Sequence, residues 1–358
     1  MENILEALDI QQYDTIIGQN INNNFNNSIE LGFSFSDIVR VLLNPTSMGE
    51  INNIGNFDIA NFFLNIIFEK IYINSALIKN VIIIALLSAF IKVITESFNN
   101  KGISEIAFYT SYIGVAVILI NSFDIMLSIL QTAITSISNI INAIMPLMAS
   151  LLIMSGGSVS SAIFTSFILM ALSFLSFFMR NVFIPVISGL IVLTIVNYIT
   201  PKEILDRLIE FLIWLLKTML KALALGLTVI VSIQKISAPA LNSLANKTAK
   251  SMITLVPIVG DAMNGAIDSV MYFVGAIQGG VGAGILIIIL ICSIMPILNL
   301  VAFIIIYKVV AVLIEPVSDS RITSCIDDLG EYTKLILSAL VVYIFLFVFF
   351  ILLILSNF

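Results

Sequence analysis

The last part of the chain, Leu335–Leu355, is a run of 21 residues without a charged side chain. A helix of this length is long enough to cross the roughly 30 Å hydrocarbon core of a bilayer. Over the whole chain, 59% of the residues are hydrophobic, 11% are charged, and the mean hydropathy is +1.12. A soluble domain carries about a quarter of its residues as charged side chains. The sequence therefore predicts an integral membrane protein.

The other apolar runs predict an all-α fold. A membrane barrel would need alternating strands of about ten residues, and the sequence shows no such pattern. We interpret residues 1–75 as an acidic, asparagine-rich region with short amphipathic helices, and residues 76–358 as a polytopic transmembrane bundle with possible re-entrant or broken helices. About eight membrane segments are predicted. They are Ala76–Thr95, Ser104–Met126, Leu127–Ser155, Val159–Met179, Val182–Ile199, Phe211–Ile233, Ile285–Ile314 and Leu335–Leu355.

The charge of the chain is distributed unevenly. Residues 1–75 contain nine acidic and two basic side chains, whereas the other 283 residues carry a net charge of +1. Cytoplasmic flanks of membrane helices collect lysine and arginine. We therefore expect the N-terminal region to be extracytoplasmic. The first residues show no basic segment followed by an apolar core, so we expect no signal peptide.

The composition argues against catalysis and metal binding. The chain contains no histidine, and its two cysteines, Cys292 and Cys325, have no metal-ligand spacing. Histidine is the commonest general base and the commonest metal ligand. The glycines of residues 279–284 lack the lysine of a phosphate-binding loop. We expect a protein that is not an enzyme and binds no cofactor, metal or nucleic acid.

Residues 127–144 carry a polar stripe that a helix surrounded by lipid would not need. Apolar side chains recur every three or four residues, and polar side chains occupy the other faces. One interpretation is a face that lines water or contacts partner subunits, including other copies of this chain. The other is an interfacial helix, or ordinary polar contacts between neighbouring helices. The candidate pore-lining or subunit-contact residues are Ser128, Gln131, Thr132, Thr135, Asn139 and Asn142.

A second candidate surface is the charged stripe of residues 202–221. Its basic and acidic side chains lie on one helical face, with leucines on the rest. Because charges are costly at the bilayer centre, we expect these residues at the cytoplasmic interface. They anchor the helix there or form a docking surface for a soluble partner. The candidates are Arg207, Glu210, Lys217 and Lys221.

A third group of residues is typical of hinges and turning loops. Pro296 lies inside a long apolar run, where it predicts a kink or a division into two half-helices. Asp124 is interpreted either as an intramembrane carboxylate or as an interfacial residue. The candidate hinge and loop residues are Gly156, Gly157, Pro257, Gly260, Asp268, Pro296, Glu315 and Pro316.

Several short motifs follow one another along the chain in a characteristic order. They are Met145-Pro146-Leu147-Met148, Ser155-Gly156-Gly157 with Ser160-Ser161, Phe183-Ile184-Pro185, Thr248-Ala249-Lys250, Pro257-Ile258-Val259-Gly260 with Asp268, and Glu315-Pro316 with Asp319 and Arg321. Together they resemble the stage III sporulation protein AE family of endospore-forming bacteria. The resemblance runs from about Ile10 to the end of the chain.

This resemblance implies a polytopic protein of the mother-cell membrane that surrounds the forespore. It also implies partners, namely the other stage III sporulation A operon proteins and, across the intermembrane space, stage II sporulation protein Q. Together they would form a channel-like or secretion-like complex. A stand-alone secondary transporter is the alternative, suggested by Pro296 and by the polar residues Asn121 and Asp124. Such transporters usually contain an internal repeat of hydropathy, and none is convincing here.

Overall fold

A computed structural model describes residues 67–97, 101–154, 159–200, 204–235, 280–316 and 318–355. All regular structure in these ranges is helical. A short helix over residues 67–73 precedes the longer ones. The longer helices are α1 (Ser75–Ser97), α2 (Lys101–Met154), α3 (Val159–Phe178), α4 (Ile184–Ile199), α5 (Asp206–Lys235), α6 (Gly280–Ile314) and α7 (Ser320–Leu355).

Four helical segments of the described chain are long and apolar enough to cross a membrane. They are Phe108–Asn142, Ile168–Ile199, Leu286–Ile314 and Ser320–Leu352. The prediction of an all-helical chain with several membrane-spanning segments is confirmed for the described residues. The count of eight is not confirmed, since predicted segments merge at two places and only four segments of the described residues are long and apolar enough. Residues 1–66 of the predicted acidic region 1–75 lie outside the described part.

The first merger is in α2. The predicted segments Ser104–Met126 and Leu127–Ser155 belong to one helix of 54 residues, Lys101–Met154. The polar residues around Asp124 suggested a boundary, but Asp124 is exposed on the helix surface. A polar side chain that points outward leaves the backbone hydrogen bonds intact, and neither glycine nor proline is present there to end the helix.

The second merger joins α3 and α4. The predicted break at Arg180 is a π-helical turn, Met179–Phe183, through which the helix continues. The backbone N–H of Ile184 donates to the carbonyl of Met179, which is the wider spacing of a π turn. Pro185 follows in the first turn of α4, where its ring would crowd a regular helix. Arg180 therefore lies inside a helix and not in a loop.

The helix α6 is also continuous. Pro296 lies within Gly280–Ile314 and is buried, and the helix does not divide into two half-helices there. Of the two interpretations offered by the sequence, a single helix with an internal proline is the one observed. A short turn over residues 315–319 then leads into α7.

The helices α6 and α7 form a closely packed antiparallel hairpin. Gly330 of α7 marks the closest approach, because a Cβ atom at this position would lie 3.3 Å from the Cβ atom of Tyr307 in α6. The small residue allows the two backbones to approach where a larger one would push them apart.

The helix α2 runs parallel to α7. Near one end of the bundle the hydroxyl of Tyr112 contacts the sulfur of Cys325 at 3.5 Å, and further along the hydroxyls of Ser138 and Tyr343 are 3.0 Å apart. Between these contacts the shared core is formed mainly by large apolar and aromatic side chains, together with the hydrogen-bonded Ser122 and Thr333. Members of this core include Leu119, Met126, Leu130, Ile134, Phe303 and Phe347.

Candidate functional site

The predicted polar stripe lies on the outward face of α2. Of its six residues, Ser128, Gln131, Thr132, Asn139 and Asn142 are exposed, and Thr135 is intermediate. The apolar residues that alternate with them point into the core: Leu130, Ile134, Ile137 and Ile141 are each at most 4% exposed. The predicted separation of the two faces is therefore confirmed. The whole polar face points away from the described helices.

The stripe is longer than the sequence analysis proposed. Asn121 and Asp124 are exposed on the same side of α2. From Asn121 to Asn142 the polar face extends for about 30 Å at 1.5 Å per residue. This length is comparable with the hydrocarbon thickness of a bilayer. The polar face also lies within the candidate membrane segment Phe108–Asn142.

The hydroxyls and the amides of the stripe differ in their hydrogen bonding. Ser128 donates to the carbonyl of Ile125 at 2.7 Å, and Thr135 donates to the carbonyl of Gln131 at 2.8 Å. The side-chain amides of Gln131, Asn139 and Asn142 form no hydrogen bond with another residue that the structure describes. These amides are exposed and are not used in hydrogen bonds within the described part of the chain.

Several polar groups in the interior are paired with one another. Four buried tyrosine hydroxyls each connect two or more helices, which the sequence analysis did not anticipate. Tyr112 donates to the carbonyl of Ile195 at 2.6 Å, and Tyr307 is 2.5 Å from the hydroxyl of Ser122. A tyrosine inside an apolar run usually finds a partner for its hydroxyl when buried, so these residues could have been noticed in the sequence.

The other two tyrosines belong to α7. Tyr332 is 2.9 Å from the hydroxyl of Thr194, and Tyr343 lies within 3.0 Å of both Ser138 and Ser176. Tyr343 therefore ties α2, α3 and α7 together at one point. Such contacts determine how the helices are arranged, because a buried hydroxyl without a partner is costly.

Charged residues cluster where α6 meets the first half of α7. Lys308 lies 2.6 Å from Asp327 and 3.0 Å from Glu331, and Lys334 lies 2.7 Å from Glu331. The side chains are between 38% and 48% exposed. The sequence analysis missed this cluster, although the spacing of Asp327, Glu331 and Lys334 by three and four residues is a recognisable helical pattern.

The second predicted surface is on α5. Arg207, Glu210, Lys217 and Lys221 are all exposed, as expected, and Trp214 beside them is 59% exposed. The opposite side of α5 is buried through Ile209, Leu216 and Leu220.

The start of α5 is attached to the end of α4. The side-chain amide of Asn197 donates to Asp206 at 2.6 Å, and its oxygen accepts from the backbone N–H of Leu205 at 2.8 Å. The charged face is thereby held in a defined direction.

The hinge candidates fall into two groups. Glu315 and Pro316 are exposed in the turn between α6 and α7, and Pro296 is buried within α6. Gly156, Gly157, Pro257, Gly260 and Asp268 lie outside the described residues.

Arg180 was not selected by the sequence analysis. It is the only charged residue between Asp124 and Lys202 in the sequence, and it lies within the candidate membrane segment Ile168–Ile199. Its Nε atom is buried and has no hydrogen-bond partner among the described residues. A charged group in a membrane segment is rare and usually marks a functional position.

The described residues contain no group of three or more cysteine or acidic side chains placed to hold a metal ion. Cys292 and Cys325 are buried, and no disulfide joins them in the described chain. What the described chain presents instead is a set of apolar helices of membrane-spanning length, with hydrogen-bonded tyrosine hydroxyls inside and an exposed polar face outside. This arrangement defines a polytopic helical membrane protein.

The comparison with protein families agrees with the resemblance seen in the sequence. The family model for stage III sporulation protein AE matches residues 37–357, and the chain belongs to this family. A relative is the stage III sporulation protein AE of Bacillus subtilis (strain 168). The two are 25% identical over 281 residues, which cover 77% of this chain and 69% of the relative. No solved structure matches the chain.

Proposed function

We propose that this chain is a membrane subunit, on the mother-cell side, of a transenvelope channel or secretion-like complex that connects the mother cell and the forespore. In this role it is structural or channel-forming and has no catalysis of its own. The observation that carries the proposal is the outward polar face of α2, from Ser128 to Asn142, inside a candidate membrane segment. Membership of the stage III sporulation protein AE family supplies the sporulation context.

The energetic argument rests on the amides. Transfer of an amide from water to a purely apolar medium without a hydrogen bond costs about 4–8 kcal/mol. Gln131, Asn139 and Asn142 would each incur such a cost if they faced lipid tails. The interior hydroxyls of Ser138, Thr194, Tyr332 and Tyr343 form hydrogen bonds among themselves, and none of these bonds involves the three amides. A protein that functions alone in lipid would gain stability by replacing them with leucine.

The partners we propose are the other proteins of the stage III sporulation A operon and, across the intermembrane space, stage II sporulation protein Q. The proposed location is the mother-cell membrane around the forespore, with the N-terminal region extracytoplasmic. The charged face of α5 then lies at the cytoplasmic surface. There Arg207, Glu210, Lys217 and Lys221 either anchor the helix or dock a soluble component of the complex.

The proposal is tested in a sporulating host from which the gene has been deleted. We expect small forespores and reduced late forespore reporter expression, and we expect the wild-type gene to restore both. The variant Gln131→Leu with Asn139→Leu should fail to restore them. The matched control is Ser173→Leu with Asn181→Leu, which changes two exposed polar residues on the continuous helix formed by α3 and α4. This control should restore both forespore size and late reporter expression. Normal forespores in the deletion strain would refute the proposal.

A stand-alone transporter has less support than the sequence suggested. Its main motivation was a helix broken at Pro296, and α6 is continuous through this residue. Purified protein that moves a small solute across liposomes without partners would reverse this ranking.

A further inference from the structure

The exposed side of α5 combines basic and aromatic side chains. We call it the basic aromatic face and define it as Arg207, Phe211, Trp214, Lys217 and Lys221. Trp214 and Phe211 are 59% and 51% exposed, and their ring centroids are 6.0 Å apart. The opposite side of the helix is buried in the core of the bundle. The two rings are therefore presented outward together, among the basic side chains of the same helix face.

The charge of this part of the chain is positive. Residues 211–260 contain five lysines and no acidic side chain. Asp206 and Glu210 lie before this range, and Asp206 is already hydrogen-bonded to α4. Lys217 and Lys221 are exposed and form no ion pair with another described residue. An anionic surface would complement these two lysines.

The start of α5 lies near the membrane boundary of the bundle. Asp206 is hydrogen-bonded to the residue before Tyr198, and the hydroxyl of Tyr198 donates to Asp328 of α7 at 2.8 Å. Asp328 precedes the uncharged run Leu335–Leu355 by seven residues, which is about 10 Å along a helix. Trp214 lies eight residues after Asp206, about 12 Å along α5, so it is close to this boundary and not at the bilayer centre.

The two kinds of side chain on this face have different requirements. A location in water would leave the rings of Phe211 and Trp214 hydrated, whereas a location in the hydrocarbon core would bury the charges of two lysines. Lys217 and Lys221 lie about 5 and 10 Å beyond Trp214 along the helix, and lysine stems extend so that their charged ends stay in the polar layer. The headgroup layer of a bilayer meets both requirements, and this combination of residues is typical of helices at a membrane surface.

We infer that the basic aromatic face of α5 binds anionic phospholipids, with Lys217 and Lys221 on the phosphate groups and Trp214 in the headgroup layer. An acidic soluble protein would also complement the lysines. The lipid is favoured because α5 packs beside the membrane helices α4 and α7, near the level where the uncharged run begins. This inference deepens the proposed function and rests on it for the position of α5 at the cytoplasmic surface. It selects anchoring over docking as the role of this face.

The test uses the fluorescence of Trp214, which is the only tryptophan in the sequence. Full-length protein is reconstituted in vesicles of phosphatidylcholine and phosphatidylglycerol in equal amounts. In one set of vesicles the phosphatidylglycerol has brominated acyl chains, which quench tryptophan on contact, and in the other set the phosphatidylcholine has them. We expect phosphatidylglycerol to be bound beside Trp214 about five-fold more strongly, the factor that one basic residue contributes at an anionic surface.

Variants of the lysines show whether their charge causes this preference. Lys217→Gln with Lys221→Gln should remove most of it. Lys217→Arg with Lys221→Arg keeps both charges and should keep the preference, which shows that substitution at these positions does not disturb the fold. The matched control Lys79→Gln removes an exposed lysine of α1 and should leave the preference at Trp214 unchanged.

Three results would overturn the inference. Quenching by neither lipid would mean that the face lies in water, as a docking surface for a soluble protein requires. Equal quenching by both lipids would mean that Trp214 contacts the bilayer without selecting anionic lipid. A preference that survives Lys217→Gln with Lys221→Gln would mean that the lysines do not cause it.

The proposed function is judged separately by the gene deletion. Normal forespores in the deletion strain would remove the proposed function and leave the lipid preference in place. Small forespores together with quenching that shows no preference would remove only the inference about α5.

Discussion

Both the interior of the bundle and the outer face of α2 contain polar side chains, but the hydrogen bonding of these side chains differs. Inside, Tyr343 lies within 3.0 Å of Ser138 and Ser176. Outside, the amides of Gln131 and Asn139 have no partner among the described residues. The paired groups determine which helices pack together. The unpaired groups are costly in a membrane unless another molecule meets them, so they report on function and not on folding.

The largest expected effect on stability is at Tyr343. Tyr343→Ala removes a buried ring, whose centroid lies 4.4 Å from that of Phe347, and a hydroxyl shared by three helices. We expect a loss of about 3–5 kcal/mol in the free energy of unfolding, as for large buried aromatic residues elsewhere. The measurement is reversible denaturation in mixed micelles. A loss below 1 kcal/mol would mean that the packing of the interior does not depend on Tyr343.

A smaller loss is expected when only a hydroxyl is removed. Tyr307→Phe deletes the contact with Ser122 but keeps the ring, and should cost about 1 kcal/mol. The double variant Tyr307→Phe with Ser122→Ala should cost little more than the single one, because the two hydroxyls act on each other. Strict additivity of the two changes would contradict this pairing.

Arg180 shares one property with each of the two regions. It is partly buried, as interior residues are, and its Nε atom has no partner among the described residues, as is the case for the outer amides. Arg180→Leu removes an unsatisfied buried donor, so we expect the free energy of unfolding to rise by about 1 kcal/mol. If the residue is kept for function, sporulation should nevertheless fall, and Arg180→Lys should restore part of it. Destabilisation by Arg180→Leu would show that the guanidinium is paired within the chain.

The charge cluster between α6 and α7 should contribute less to the free energy of unfolding than the buried contacts do. Lys308→Met breaks the contacts with Asp327 and Glu331, and half-exposed ion pairs of this kind contribute about 0.5–1 kcal/mol. The loss should shrink as salt is added, because exposed charges are screened. Lys334→Met, which breaks one contact within α7, is the control and should cost less. A salt-independent loss would indicate a packing effect of the lysine stem.

The smallest loss of stability is expected at the outer face. The triple variant Gln131→Leu, Asn139→Leu and Asn142→Leu should not lower the free energy of unfolding of the monomer, because the three amides form no hydrogen bond with a described residue. Sporulation efficiency should nevertheless fall at least ten-fold. A stable triple variant that sporulates normally would show that the amides of the outer face are not needed for function.

The sequence predicted the separation of faces on α2 correctly but not the ends of the helices. The spacing of Leu130, Ile134, Ile137 and Ile141 is a local property of one helix, and all four are buried as expected. The predicted boundaries between Met126 and Leu127 and between Met179 and Val182 were wrong, since each lies within a continuous helix. Hydropathy registers a charge as an interruption, whereas the backbone continues wherever its hydrogen bonds are kept, even through the π turn at Met179–Phe183.

By itself, the sequence determined that the chain is helical, that it belongs in a membrane, and that α2 has one polar and one apolar face. These properties depend on composition and on spacing within a single helix. The tertiary structure decided that the polar face points outward and that Tyr112, Tyr307, Tyr332 and Tyr343 find their partners on other helices. Which side chains meet depends on how separate helices pack, and residues such as Ser138 and Tyr343 are 205 positions apart in the chain.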